Sequence, residues 1–267
     1  MAGGSGRSDH SEIGSSYIHF NFTPRQDKAT ASLIGDVPRG VMLDQKPIFL
    51  GGQGGLVGPA VIAYGTVIPA GMICREDVLV EGQLFVPAPL ASNASGEMIP
   101  GLYRGINRII KKNLTYIGNL QALKSWYMHA RKRFMSADPF ARACWTGAIS
   151  RLEEGVRERA ERLRQVCDKM PRSLELSKSK SDYPDAFRKQ QAAFIKTWSA
   201  IEQRLLEGPR EAVGSADRNT FLSHWDRLST GTSYLEAVRQ LDMEARKAGT
   251  AWLQSIVDQT TALWQEA

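Results

Sequence analysis

The sequence is poor in the residues that build disulfide scaffolds, metal sites and membrane spans. Its 267 residues include only three cysteines and four histidines. Cys74, Cys144 and Cys167 lie far apart and lack the Cys/His spacing of a metal site, so we expect neither a disulfide framework nor a bound metal. No apolar run reaches the roughly 20 residues that span a bilayer. Residues 1–14 are polar and rich in Gly and Ser, unlike a secretory signal, and we expect a cytoplasmic location.

Charge and composition divide the chain into two halves. Residues 1–98 carry six basic and nine acidic side chains, a net charge of −3, whereas residues 99–267 carry 28 and 19, a net charge of +9. The first half is rich in Gly, Val, Ile and Pro, and the second in Ala, Arg, Glu, Gln, Leu and Trp. A Pro- and Ser-containing stretch separates them. These shifts predict a β domain over 1–86, a linker over 87–100 and a helical domain over 101–267.

The first half contains a six-residue period. Aliphatic side chains recur at Leu50, Leu56, Ile62 and Ile68, and Cys74 continues the row. A small residue follows three of them four positions later, at Gly54, Ala60 and Thr66. The alternative is an ordinary β-hairpin region with accidental spacing. The pattern is typical of hexapeptide repeats and predicts a left-handed parallel β-helix, a stack of short parallel strands.

The second half has the periodicity of amphipathic helices. Apolar residues recur at spacings of three and four over about 119–134, 138–170, 187–205 and 238–263. Each apolar stripe covers one face only, so these helices must pack against one another or against a neighbouring subunit. We therefore predict an α-helical bundle or a coiled-coil-like domain after the β-helix. The Lys- and Ser-rich residues 173–182 are predicted to form a loop.

Four motifs of the first half occur in the same order in a known family. Residues 21–28, 32–36, 49–59 and 65–71 resemble the acyltransferase half of the bifunctional bacterial N-acetylglucosamine-1-phosphate uridyltransferase/glucosamine-1-phosphate acetyltransferase. The resemblance covers about residues 12–80. More loosely, the segment is similar to the C-terminal coils of other sugar-nucleotide pyrophosphorylases.

The resemblance implies a trimer that holds acetyl-coenzyme A and a sugar phosphate or sugar nucleotide between neighbouring subunits. It implies that Asn21 orients the amino-sugar and that Lys28 meets the sugar phosphate, while Phe22 replaces a family tyrosine beside the substrate. Gly52 stands where the family has a serine near the cofactor. Ala70 falls on an alanine that lines the thioester site.

The chain also departs from the family pattern. The position of the family's catalytic histidine is Gly4 here. His19 precedes Asn21 by two residues, which would place both side chains on one face of a strand, and an imidazole titrates near neutral pH. His19 is therefore the candidate replacement base, against the alternative of a structural histidine. About ten extra residues precede Phe49, and the family's nucleotidyltransferase domain has no counterpart.

A basic segment opens the second half. Residues 100–137 contain no acidic side chain and eight basic ones, interleaved with aromatics. The basic residues are Arg104, Arg108, Lys111, Lys112, Lys124, Arg131, Lys132 and Arg133. Such a segment could bind nucleic acid, the phosphates of coenzyme A, lipid headgroups or the acidic first half. The simplest interpretation is that these basic side chains are solvated or form salt bridges between subunits. No RNA-binding or helix-turn-helix signature supports a nucleic-acid partner.

Two functions are consistent with these patterns. The first is transfer of an acyl group from acetyl-coenzyme A to an amino-sugar phosphate or sugar nucleotide in cell-envelope precursor metabolism, with His19, Asn21 and Lys28 in the active site. The alternative is a catalytically silent trimerising or regulatory module that partners a separate nucleotidyltransferase chain. The missing base favours the second function, and the retained Asn21 and Lys28 favour the first.

Overall fold

The computed structural model describes residues 32–88, 97–135 and 138–264, of which 59% are helical. The strands are β1 (Leu33–Ile34), β2 (Phe49–Leu50), β3 (Gly55–Leu56), β4 (Val61–Ile62), β5 (Val67–Ile68) and β6 (Ile73–Cys74). The helices are α1 (Val37–Gly40), α2 (Asn107–His129), α3 (Pro139–Cys167), α4 (Met170–Lys178), α5 (Asp185–Glu207), α6 (Ser215–Leu228), α7 (Tyr234–Arg239) and α8 (Met243–Thr261). A 3₁₀ turn, Arg131–Phe134, follows α2.

The strands form three parallel sheets of two strands each, with the pairs β1–β4, β2–β5 and β3–β6. Paired residues are 18 positions apart in the last two sheets and 28 apart in the first, where Leu33 pairs with Val61. Isolated bridges extend the first sheet from Ile62 to Val78 and the second from Val67 to Leu84. Ile62, Ile68, Cys74 and Val78 form the small buried core between the sheets.

The prediction of a β-helix is wrong. A long parallel β-helix stacks many strands in each sheet, whereas the described residues contain six strands of two residues each. Two features of the sequence explain the short stack. The six-residue row ends at Cys74, because the next position, Val80, is exposed. The extra residues between β1 and β2 form α1 and a loop. They pack against the helices and add no strand to the sheets.

Helix α2 is the centre of the helical part and packs against α8 and α3. Helix α5 packs on α3 and α4, and α6 packs on α8. The predicted apolar stripes supply much of the core, including Phe194, Trp198 and Leu205 of α5. Within the described ranges, no helix has the length and apolarity needed to cross a bilayer.

Several helices begin or end at other residues than the apolar periodicity predicts. Helix α2 begins twelve residues before the predicted start at 119, and α6 was not predicted. Most of the predicted loop 173–182 belongs to α4, which buries the small polar residues Ser173 and Ser177. The Ser173 hydroxyl accepts a hydrogen bond of 2.9 Å from the amide of Tyr103. The buried face of this helix includes serines whose hydroxyls are hydrogen-bonded. Because serine is polar, the sequence shows no apolar stripe that would predict the helix.

Residues 36–44, which we call the docking segment, join the β part to the helices. Met42 is 2% exposed and lies in a cluster with Phe221, Trp225 and Trp252. A Cβ on Gly249 would lie 2.5 Å from the Met42 methyl carbon. Glycine at this position of α8 therefore provides the space that Met42 fills.

Hydrogen bonds fix the docking segment on the helices. The Val37 amide donates to the Asn119 side chain at 2.8 Å, and both residues are at least partly buried. The Arg246 guanidinium donates to the Met42 carbonyl at 2.8 Å and pairs with Asp44 at 3.1 Å. The extra residues before β2 are thus the structural link between the two halves of the chain.

Replacing Met42 by alanine should destabilise the protein, since it removes a fully buried side chain from an aromatic cluster. We expect Met42→Ala to lower the free energy of unfolding by about 2–5 kcal/mol in urea titrations. Met243→Ala is the matched control, because Met243 is 85% exposed, and should change it by less than about 0.5 kcal/mol. Equal stabilities of the two variants would contradict the docking of residues 36–44.

Candidate functional site

The residues predicted from the family resemblance are only partly covered by the structure. His19, Asn21, Phe22 and Lys28 lie outside the described residues. Gly52 and Ala70 are described, both are exposed, and they lie side by side on consecutive turns of the chain. The Gly71 amide donates to the Gly52 carbonyl at 2.9 Å. A Cβ on Gly51 would lie 2.2 Å from the Ala70 nitrogen, so this close approach requires glycine.

The cysteines do not form a reactive centre in the described part of the chain. Cys74 and Cys167 are buried and Cys144 is exposed. Burial raises the pKa of the Cys167 thiol to about 11, which keeps it protonated at neutral pH and therefore a poor nucleophile. No group of three His, Cys, Asp or Glu side chains converges on a metal-sized site in residues 32–88, 97–135 or 138–264.

Much of the basic segment is paired within the chain. The Lys112 ammonium lies 2.6 Å from the carboxylate of Asp77, in the β part, and Arg108 lies 3.5 Å from the same carboxylate. Lys124 pairs with Glu153 of α3 at 2.7 Å. Arg133 pairs with Asp226 of α6. These ion pairs join α2 to the β part and to α3, and the turn after α2 to α6. They agree with the interpretation of the basic segment as a salt-bridging surface that partly neutralises the acidic first half.

Asp77 is the main acidic partner of the basic segment. Partial burial alone would raise the pKa of this carboxyl, but hydrogen bonds from Lys112 and from the Val61 amide, together with the positive charges of Lys112 and Arg108, hold its pKa below the usual range. The Val61 amide donates to Asp77 at 2.8 Å. Asp77 therefore joins the first sheet to α2.

The second sheet of the β part carries exposed apolar side chains among the described residues. Phe49 pairs with Val67, Val67 is bridged to Leu84, and all three side chains are exposed. We call these three residues the apolar column. Strands in a sheet lie about 4.8 Å apart, so the column spans roughly 10 Å of continuous apolar surface. Contiguous exposed apolar surface of this kind marks interaction sites in folded proteins.

A cavity of about 700 Å³ lies where the docking segment meets the helices. We call it the junction pocket. It is lined by Gly40, Val41, Leu43, Leu123, Trp126, Tyr127, Arg131, Ser233, Tyr234 and Leu235. The Trp126 indole donates to the Tyr234 hydroxyl at 3.2 Å, and burial raises the pKa of Tyr234. Arg131 is the single charged residue among these lining residues.

Sequence reasoning included Arg131 and Tyr127 in the basic and aromatic segment but did not predict a pocket. Leu43, from the docking segment, and Tyr234, from α7, reach the same cavity although they are almost 200 positions apart. No local pattern relates positions so far apart. The signal available in the sequence was the unexplained insertion before Phe49, which supplies one wall.

The ion pairs of Asp77 should stabilise the protein in a pH-dependent way. A carboxyl whose pKa is lowered by folding contributes stability above its unfolded pKa of about 3.9, and this contribution is lost as the pH falls through the lower folded pKa. We expect Asp77→Asn to reduce the free energy of unfolding by about 1 kcal/mol at pH 7, less at high salt, and by much less near pH 2. Urea titrations at both pH values measure the difference.

The neighbouring exposed residue Glu76 supplies a matched control. No carboxylate pair of Glu76 occurs among the described side chains, so Glu76→Gln should leave stability unchanged at both pH values. An Asp77→Asn effect that is the same at pH 7 and pH 2 would show that the ion pairs with α2 contribute nothing.

Comparison with family models, with curated proteins and with solved structures finds no match to this chain. The resemblance to the acetyltransferase half therefore remains a prediction.

Proposed function

We propose that this chain is an assembly module that associates with further copies of itself through the apolar column. The observation that carries the proposal is the stack of Phe49, Val67 and Leu84, three large apolar side chains exposed in register on one sheet. Burying such a surface in a homo-oligomer removes apolar area from water, the dominant favourable term in most association.

The surroundings of the column favour an apolar partner surface. The three segments that carry it, 47–52, 66–70 and 83–88, contain no charged residue. Charged side chains often protect exposed sheet edges from association, and these segments have prolines at 47, 69 and 87 but no charge. Uncharged edges with an apolar face therefore favour contact with a similarly uncharged surface.

A second copy of the chain supplies a surface of this composition. The outer side of the first sheet is unavailable, since Asp77 there is paired with Lys112 of α2. The apolar column belongs to the second sheet, and its side chains are exposed in the described part of the chain. The family resemblance gives three copies as the expected stoichiometry, and the assembled module would present its helices to a separate nucleotidyltransferase chain.

A charge in the column should separate the copies. We expect the wild-type protein to run in light scattering coupled to size exclusion at a multiple of its 29.5 kDa chain mass, with three copies as the predicted number. Leu84→Glu should shift it to the single-chain mass, because the carboxylate would be buried without a partner in the interface.

Leu79→Glu provides the matched control. Leu79 and Leu84 are 68% and 67% exposed, and only Leu84 belongs to the column. Leu79→Glu should therefore keep the wild-type mass. A wild-type protein that stays at 29.5 kDa over micromolar to millimolar concentrations would refute the proposal, as would an equal effect of both substitutions.

Acyl transfer is the second candidate function. It is supported by the adjacency of Gly52 and Ala70, the two positions that the resemblance relates to the cofactor. Acetyl-coenzyme A would meet these residues, and the protein's own contribution would be His19 as base and Lys28 as a point charge for the sugar phosphate.

Isothermal titration with acetyl-coenzyme A and with coenzyme A tests this second function. We expect micromolar binding, with turnover but not cofactor binding lost in His19→Ala, and sugar-phosphate binding weakened in Lys28→Ala. Absence of heat at millimolar acetyl-coenzyme A would rule out acyl transfer and leave the assembly function unaffected.

A further inference from the structure

We propose that the junction pocket binds a small organic anion with an apolar body, with the anionic group on Arg131 and the body against the apolar lining residues. The cavity of about 700 Å³ is within the usual size of small-molecule sites, which are mostly apolar with a few placed polar groups. The pocket forms only where the docking segment meets α2 and α7, so its shape depends on the tertiary fold.

Arg131 is held in place but its charge is not neutralised. The centre of its guanidinium lies 3.8 Å from the centroid of the Tyr234 ring and 5.9 Å from that of Tyr127. It forms no ion pair with a carboxylate of the described residues. A planar guanidinium stacked on aromatic rings is preorganised for bidentate binding of a carboxylate or a similar anion.

Two acidic residues, Asp44 and Glu236, directly follow lining residues in the sequence, and both are already engaged. Asp44 pairs with Arg246 at 3.1 Å. Glu236 accepts a hydrogen bond of 2.9 Å from the Ser233 amide, as part of the capping box at the start of α7. This geometry keeps that carboxylate at the helix terminus. The charge of Arg131 is thus left for a ligand.

The walls of the pocket select an apolar body. Trp126 and Tyr234 are the aromatic lining residues joined by a hydrogen bond, which fixes the orientation of both rings. Leu123, Val41 and Leu235 contribute aliphatic surface. Burial of a ring or a branched chain against these side chains supplies most of the binding energy, while Arg131 sets the charge.

Leu43 adds an independent observation at the same place. Its φ of 57° lies in the left-handed region, which a leucine rarely adopts, yet its side chain is 55% exposed. The fold of the single chain gains little burial from this unfavourable backbone conformation. Contact with a ligand in the pocket would use the exposed side chain, and sparsely populated backbone conformations cluster at such sites.

Titration calorimetry with a matched pair of probes tests the proposal. The probes are 1-naphthoate and its neutral analogue 1-naphthalenemethanol, at constant ionic strength. We expect 1-naphthoate to bind saturably and the alcohol to bind at least tenfold more weakly, because the alcohol cannot form charge-assisted hydrogen bonds with Arg131.

Three variants locate the binding. Arg131→Gln should weaken 1-naphthoate binding about tenfold, and Leu235→Glu should abolish it by placing a negative charge at the half-exposed wall. Lys132→Gln removes the same charge from the adjacent residue, whose ammonium faces Trp145, and should bind like the wild type. Thermal unfolding of each variant confirms that the fold is intact.

About tenfold weaker 1-naphthoate binding by Arg131→Gln, no binding by Leu235→Glu and unchanged binding by Lys132→Gln would support the site. Equal binding of the acid and the alcohol, equal binding by Arg131→Gln and wild type, or no heat at millimolar 1-naphthoate would each overturn it.

Discussion

Burial of the docking segment against the aromatic cluster of the helices is the contact on which the rest of the structure depends. Met42 fills the space left by Gly249, and the Arg246 guanidinium holds the backbone of the same segment. Within residues 32–88 the β part has a small core, centred on Ile62 and Ile68, and this amount of apolar burial is too little to stabilise an independent domain. Its stability is therefore tied to the helices.

The same contact determines which surfaces are available for function. It orients the first sheet so that Asp77 meets Lys112 of α2, and this uses part of the basic segment for internal pairing. The apolar column, on the second sheet, stays exposed among the residues that the structure describes. The same contact also closes one wall of the junction pocket and places Arg131 inside it. One structural element thus separates a candidate assembly surface from a candidate ligand site.

The basic segment pairs with carboxylates that are distant in the sequence. Its eight cations over 100–137 have no acidic neighbour, and solvation and salt bridging was the simplest interpretation of that pattern. In the fold, Lys112, Lys124 and Arg133 each reach a carboxylate from a distant element. With Arg108, four of the eight cations thus pair with carboxylates of other elements, because helix α2 and the turn after it contact the β part, α3 and α6.

The sequence by itself determined the amphipathic helices, since an apolar stripe repeated every three to four residues is a local property that any packing must bury. It also determined the six-residue aliphatic row, part of which forms the small core of the β part. The tertiary structure decided how far that row extends, and it shows three two-stranded sheets in place of a β-helix, because the inserted segment diverts the chain to the helices. It also decided which cations of the basic segment pair with carboxylates, and it brought Leu43, Arg131 and Tyr234 to one pocket. These outcomes depend on contacts between residues up to two hundred positions apart, and no local pattern encodes them.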